Sequence, residues 1–448
     1  MSTLYDVANK ALRVAEKEGA QQSEAYVSST KSFQIEVENS AVKGAEDSLD
    51  QGCGIRSIVD KKIGFAYVTN LNPKEVATAG RKSAELAKNS IPDPDFVTLP
   101  YEQSSYPTIS GLFDSTMSKV NADEAAELMI AAVDSALNVL DGRNPAIEGK
   151  ITIRINERAI VNSLGIESST KSTIAYLYTY PTIKESGQQT SGYEFQVTRK
   201  MNDIDPHWVG EESAKSALAN LGPKTIEGGM LPVILTPLAV SSIIGLGFAG
   251  ALDAEEIQYG RSYVSDDIGS MIGSSELTIT DNGTLEGGIG SRPFDAEGVR
   301  SQRTSIMEAG VLKNYLHNSY TANKDRVDNT ANATRPSYAG LPGISTSNFI
   351  VAPGHGTVDD LISEIDQGVL CRNTADRPNM TTGELSAMIM EGSYIENGEI
   401  QHPLKNTLIG INMRDLLKRI SLVGADTRTT FSIKSPSVVL ETARITSG

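Results

Sequence analysis

The chain has 448 residues, enough for two or three domains that each bury a core of their own. Its 40 Lys and Arg against 56 Asp and Glu leave a net charge of −16, which disfavours a nucleic-acid partner. Apolar residues at 39% and charged residues at 21% exclude a disordered chain, and two cysteines, Cys53 and Cys371, exclude a disulfide framework or a Cys-rich zinc module.

The first residues, Met1 to Asp6, lack the basic and apolar segments of a signal peptide, so a cytoplasmic location is expected. Leu4, Val7, Ala8, Ala11, Leu12 and Ala15 recur at helical spacing, with Thr3 and Asp6 as a capping-box pair and Gly19 as the stop. Phe33, Ile35 and Val37 alternate as a strand does; Ile55–Val59 and Ile63–Val68 read as two more around the turn at Asp60. Asn72 caps a second helix running to Asn89. Residues 90–111 hold four prolines and few apolar groups, which predicts an extended linker.

Asn121 and Glu124 cap a third helix. Strands follow at Lys150–Ile155, Ala159–Asn162, Thr173–Tyr180 and Tyr193–Thr198, then a helix over Glu211–Leu221 closed by Gly222-Pro223. Gly228 to Leu252 contains no charge, but Pro232, Pro237 and three hydroxyls interrupt it, so a buried strand at Leu231–Leu235 and a helix over 237–252 are expected in place of a membrane span. That helix would start at Thr236 as N-cap and Pro237 as its first residue. Beyond it, turn signals at Asp281-Asn282-Gly283, Glu308-Ala309-Gly310 and Asn397-Gly398 predict hairpins. Further helices are expected only at Val358–Gln367 and Met413–Lys418, with a long polar loop over Asn323–Ser337. The fold class is α+β: a mixed helix/strand half of two domains, 1–100 and 101–224, then a strand-rich domain over 225–448.

Chemistry is sparse. His207, His317, His355 and His402 lie at no metal-ligand spacing, and no nucleophile elbow or phosphate-binding loop is present. Cys53 and Cys371 read as small core residues. Gly287-Gly288-Ile289-Gly290 reads as a flexible loop. The stretch from Gly290 to Val299 stands out, because a non-periodic loop there carries Arg292, Asp295 and Glu297, with Arg303 just beyond. An arginine among carboxylates either holds a peptide terminus or backbone, or locks the loop. Gly245, Gly247 and Gly250 are anomalous in a helix interior, where each costs about 1 kcal/mol relative to Ala.

These residues resemble the TldD/PmbA family, once described as modulators of DNA gyrase. The matching segments are Gly290-Ser291-Arg292-Pro293-Phe294-Asp295-Ala296-Glu297-Gly298-Val299, Gln302-Arg303-Thr304, Ile395 to Ile400 with His402-Pro403, and Leu422 to Asp426. TldD-type members resemble zinc peptidases with H-E-x-x-x-H on a helix and a cysteine further on. Here Gly245 and Gly250 stand where the histidines would be and Leu246 where the glutamate would be, and Asp426 to Ser437 holds no cysteine. The resemblance therefore implies the PmbA, or TldE, branch: no catalytic residue and no cofactor in this chain, zinc in a TldD-type partner subunit, and unfolded polypeptides or leader peptides as substrates. Arg292, Asp295, Glu297 and Arg303 are the candidates for peptide binding or for the interface. Two other readings remain open: an autonomous metallopeptidase with a relocated metal site that recruits His317, His355 or His402, and a peptide-binding homodimer with no proteolytic role.

Overall fold

The computed structural model describes residues 4–448, so Thr3 of the expected capping box lies outside the described residues. The α+β class holds. Helix α1 (Leu4–Lys17) buries Val7, Ala8, Ala11, Leu12 and Ala15, and Gly19 leaves it at φ +97°. Three strands follow, β1 (Gln22–Glu38), β2 (Ala41–Val59) and β3 (Lys62–Val68), then α2 (Pro73–Asn89), capped by the Asn72 side chain accepting from the Lys74 N–H. Helix α3 (Ala122–Val139) has the full reciprocal capping box of Asn121 and Glu124. Strands β4 (Ala146–Asn162), β5 (Glu167–Glu185), β6 (Gln188–Ser191) and β7 (Glu194–Thr198) lead to α4 (Pro206–Ala219).

All seven strands form one antiparallel sheet, in the order β3-β2-β1-β4-β5-β6 with β7 also on β5. β1 and β4 join its two parts, in register from Glu24 opposite Asn162 to Val37 opposite Gly149. Several strands are longer than the sequence suggests. Lys150–Ile155 and Ala159–Asn162 are one strand, because Asn156, Glu157 and Arg158 continue the pleat without an apolar face. Alternation assigns the faces: Ala25, Val27, Ile35 and Val37 of β1 point to the side covered by the four helices. Tyr26 and Ile160 point to the other side, where Phe294, Ala333 and Tyr338 of the C-terminal half pack on them. The expected linker is extended but anchored, with Phe96 and Leu99 packed on Ile58 and Tyr106 on Phe294.

The C-terminal half is built on a twelve-stranded mixed sheet. Strand β8 (Gly229–Leu235) lies at its centre, antiparallel to Ile433–Ser447 and parallel to Gln367–Asn373. The charge-free stretch is thus a buried strand and a helix, and no helix among the described residues is long and apolar enough to cross a membrane. The helix is not uniform. Helix α5 (Pro237–Val240) passes into a π-helical segment, Ser241–Leu246, and then into α6 (Gly247–Ala251). Thr236 sits at the N-cap without capping; its hydroxyl donates to the Arg372 carbonyl at 2.8 Å. Ile243, Ile244 and Phe248 face the sheet and are fully buried.

Other expectations need correction. Asp281-Asn282-Gly283 is no tight hairpin: Ile279–Asn282 pairs with Arg303–Glu308, and a loop of about twenty residues, roughly 283–302, intervenes. The helix expected over Val358–Gln367 ends at Ser363, since Gln367–Asn373 is a strand, and α4 starts earlier than Glu211 because Asp205 caps it ahead of Pro206. Short helices at Ala254–Gln258 and Ser319–Asp325 were not legible as such, and the second cuts into the polar loop expected from Asn323. The turns at Ala309-Gly310 and Asn397-Gly398 form as expected, with both residues at positive φ.

Candidate functional site

The site is the contact between the polar face of the N-terminal sheet and the loop 283–302. Gly290 shows how close that contact is, since a Cβ there would lie 1.8 Å from the Ser347 carbonyl oxygen. Asn348 accepts the Gly290 N–H through its side-chain oxygen at 2.9 Å. From the sheet side, Arg199, just after β7, donates to the carbonyls of Gly288 (2.8 Å), Ile289 and Ser291 (3.3 Å) and to Thr173 (3.1 Å). The glycine-rich loop is therefore gripped by an arginine, not free. Burial, with Arg158 adding to it, lowers the Arg199 pKa to about 10.

The four sequence candidates do not act as one group. Asp295 closes the loop on itself: its carboxylate accepts the N–H of Glu297 and Val299 at 2.9 Å and of Ala333 at 3.1 Å. Burial, and then the neighbouring Glu297, pushes it up to about 7. Glu297 belongs to a buried ion network. Arg56 of β2 donates to it at 2.9 Å and to Glu24 of β1 at 2.8 Å, Arg335 pairs with the same Glu24, and the Ser319 N–H donates to Glu297 at 2.8 Å. Burial would raise Glu297, but Arg56 and Ser319 outweigh it and hold its pKa below the usual value. Both carboxylates thus fix the loop and the docking of the two halves. Arg303 is exposed on its strand opposite Asn282, away from them. Of the four, Arg292 lines a cavity, and its Nε and Nη2 are buried in the wall without a hydrogen-bond partner.

A second ion network ties the same halves elsewhere. Glu194 at the start of β7 holds Arg372 (3.0 Å) and Arg428, and Glu391 holds Arg372 and the Ser216 hydroxyl (2.7 Å). Sequence reasoning missed Arg154, Arg158, Arg199 and Arg335. The first two carried a usable signal, since Arg154, Asn156 and Arg158 share the face of β4 opposite the helices; the others needed the fold.

The helical segment bears on zinc. A Cβ at Gly245 would lie 2.7 Å from Cγ2 and 2.8 Å from Cδ1 of Ile433, and at Gly247 2.5 Å from Cδ of Pro378. At Gly250 it would lie 3.1 Å from Sδ of Met380. Hydrocarbon and a thioether occupy the space in front of the three glycines, and Leu246 is half exposed. These residues do not fit zinc, which takes thiolate, imidazole or carboxylate donors. Among the described residues no three of His, Cys, Asp and Glu are grouped to hold a metal. His317 is buried against Thr321, His207 bonds Ser135 at 2.8 Å, and His402 stacks on Tyr394. Burial pushes the Cys53 and Cys371 thiols up to about 12, so both stay protonated at neutral pH.

Comparison with known proteins gives one family across the chain. Residues 23–87 match the PmbA/TldA metallopeptidase domain 1, residues 116–221 its central domain and residues 228–447 its C-terminal domain. The metalloprotease PmbA of Escherichia coli O157:H7 is 28% identical, with 94% of this chain and 91% of that protein covered. A metalloprotease TldD homolog of Buchnera aphidicola (subsp. Schizaphis graminum) is 26% identical over 87% of this chain and 82% of its own length. Among solved structures, a Thermotoga maritima protein described as a modulator of a DNA gyrase superposes with a TM-score of 0.88 at 25% identity, covering 99% of this chain and all of that one. TldE from Thermococcus kodakarensis shares the fold, with a TM-score of 0.89 at 22% identity over 98% of this chain and 99% of that one.

Proposed function

The chain belongs to the PmbA/TldA metallopeptidase family, and within it we propose that this protein is a non-catalytic subunit of the PmbA/TldE type. It would assemble with a zinc-bearing TldD-type subunit and act on unfolded polypeptides or leader peptides in the cytoplasm. One observation carries the reading. Where the TldD pattern puts two imidazoles and a glutamate, this chain has Gly245, Gly250 and Leu246, and Ile433, Pro378 and Met380 fill the space before the glycines. A peptidase zinc must present an open position to water and substrate, and packed hydrocarbon supplies neither ligand nor opening.

The contribution of such a subunit is to hold extended substrate. Strand addition suits it, because backbone hydrogen bonds give affinity while demanding little of the side chains. A net charge of −16 speaks against DNA as the binding partner.

The test is cleavage of an unstructured peptide by the purified chain, by a TldD-type metallopeptidase, and by the mixture, each with and without chelator. The mixture is expected to exceed the metallopeptidase alone and to lose all activity with chelator, while the isolated chain cleaves nothing. Chelator-sensitive cleavage by the isolated chain, with stoichiometric zinc bound, overturns the reading. So does a mixture no more active than the metallopeptidase alone.

A further inference from the structure

Between the face of β4 and β5 and the loop 283–302 lies a cavity of about 310 Å³. Five arginines line it, Arg154, Arg158, Arg199, Arg292 and Arg335, and no Asp or Glu does. In an acidic chain this is an unusual concentration of one sign. Arg335 is neutralised by Glu24 and spends its other donors on the Ala296 and Gly340 carbonyls. Arg199 donates to carbonyls alone and keeps its charge unpaired. Arg154 and Arg158, exposed at the rim, have no ion pair among the described residues, and neither has Arg292.

The carboxylates near Arg292 are already committed. Asp281 accepts from Asn332 and from the Ser347 N–H and hydroxyl, and Asp295 from three backbone N–H groups. Both lie beyond ion-pair distance of the guanidinium. Burial lowers the Arg292 pKa, Asp295 offsets part of this, and Arg158 lowers it further. A buried N–H without an acceptor costs free energy, so an unpaired guanidinium in the wall of a cavity is not maintained for stability.

We propose that this cavity binds a carboxylate of a peptide, at its C-terminus or on an Asp or Glu side chain, with Arg158 and Arg154 as the guanidinium groups at its rim and Arg292 as the unpaired positive charge in its wall. A planar guanidinium matches the two oxygens of a carboxylate. A peptide is favoured over a free anion by what borders the cavity. Ile174 lines it, and Tyr176 and Tyr178 follow on the same face of β5, packed with Tyr193, Phe195 and Phe431. Tyr176 and Phe431 lie 5.2 Å apart, so an aromatic wall continues from the cationic pocket, as an anchored peptide would require. The inference rests on the reading of the chain as a peptide-handling subunit.

The test is binding to the full-length chain, read by fluorescence anisotropy with a dye-labelled unstructured peptide in three forms. One has a free C-terminus and no acidic residue, one is the same peptide amidated, and one is amidated with a single internal Glu. Either carboxylate form is expected to bind about tenfold more tightly than the plain amide, and the better of the two identifies the source of the carboxylate. Arg158→Gln and Arg292→Gln should each remove most of that preference and leave the affinity of the amide unchanged. Should Arg292→Gln fail to fold, Arg158→Gln and Arg154→Gln, at exposed positions, decide. Equal affinity of acid and amide forms overturns the proposal, as does a preference that survives these substitutions. Orthophosphate binding that is lost in Arg158→Gln while no peptide form is preferred overturns the peptide assignment. Because binding is read on the chain without a partner, it can fail while stimulation of cleavage stands, and the reverse.

Discussion

The buried network of Glu24, Arg56, Glu297 and Arg335 is where the two halves of the molecule can be tested with one substitution. Arg56→Met keeps the length of the side chain and removes its charge. Both partner carboxylates are 1% exposed, so neither can turn to water. Glu24 keeps Arg335, but Glu297 keeps no cation, only the hydrogen bonding of Ser319. Leaving a buried charge without its partner costs about 3–5 kcal/mol. Against this, Arg56 Nε is itself buried without an acceptor, and its removal returns about 1 kcal/mol. The expected net loss is about 2–4 kcal/mol, read as the shift in urea midpoint at constant slope. The loss should shrink as pH falls, because in the variant the Glu297 pKa lies above its unfolded value and protonation then favours the folded state. Adding Glu297→Gln alone should recover most of it, because Glu24 must stay charged to pair the buried Arg335. A loss under about 1 kcal/mol, or no recovery on neutralising Glu297, would refute the reasoning.

Two further outcomes follow from the same physics. Gly245→Ala should destabilise the chain by about 1–3 kcal/mol in thermal unfolding, because Ile433 must move from a packed site, and combining it with Ile433→Val should restore part of the loss. Neutrality of Gly245→Ala would mean that the helix has room there. Asp253, at the cap of Ala254–Gln258, is pushed up to about 6 by burial. A carboxyl raised in the folded state favours folding as pH drops through 6 towards 4 and disfavours it above. Asp253→Asn, which can still cap, should therefore be more stable than the parent by about 1 kcal/mol at pH 8, allowing for its partial exposure, and equal to it near pH 4. An unchanged difference between pH 8 and pH 4 would contradict the assignment.

Helices α1 to α3 and the turns at Ala309-Gly310 and Asn397-Gly398 were legible in the sequence because their signals are local. The Asn121–Glu124 box and the Asn397-Gly398 turn each need only a few neighbouring residues. The long strands were less so. Ala41–Asp50 of β2 is exposed throughout, which erases the alternation that marks a strand, and Asn156 to Arg158 interrupt it in β4. The glycines of the helical segment were visible as an anomaly, but that Ile433, Pro378 and Met380 fill their space depends on residues more than a hundred positions away. The loop motif was found and its internal roles were not. Nothing in Arg292, Asp295 and Glu297 as a string says that the carboxylates face Arg56 and backbone N–H groups while the arginine lines a cavity. Arg199 and Arg335 were hidden for the same reason.

The pairing of β1 with β4 also sets an order of events during synthesis. β1 can zip to β2 as soon as the hairpin leaves the ribosome, because Glu38 and Ala41 are adjacent across the turn. Its other edge finds no partner until Gly149 to Asn162 has been made. At translation rates of about 5–20 residues per second, that edge stays open for roughly five to twenty seconds. During that interval the nascent chain carries fourteen residues of strand ready to accept the β4 of a neighbouring copy. Exchange of that strand between two nascent chains is the misassembly to which this topology is most exposed, and slowing synthesis between residues 38 and 149 should increase it.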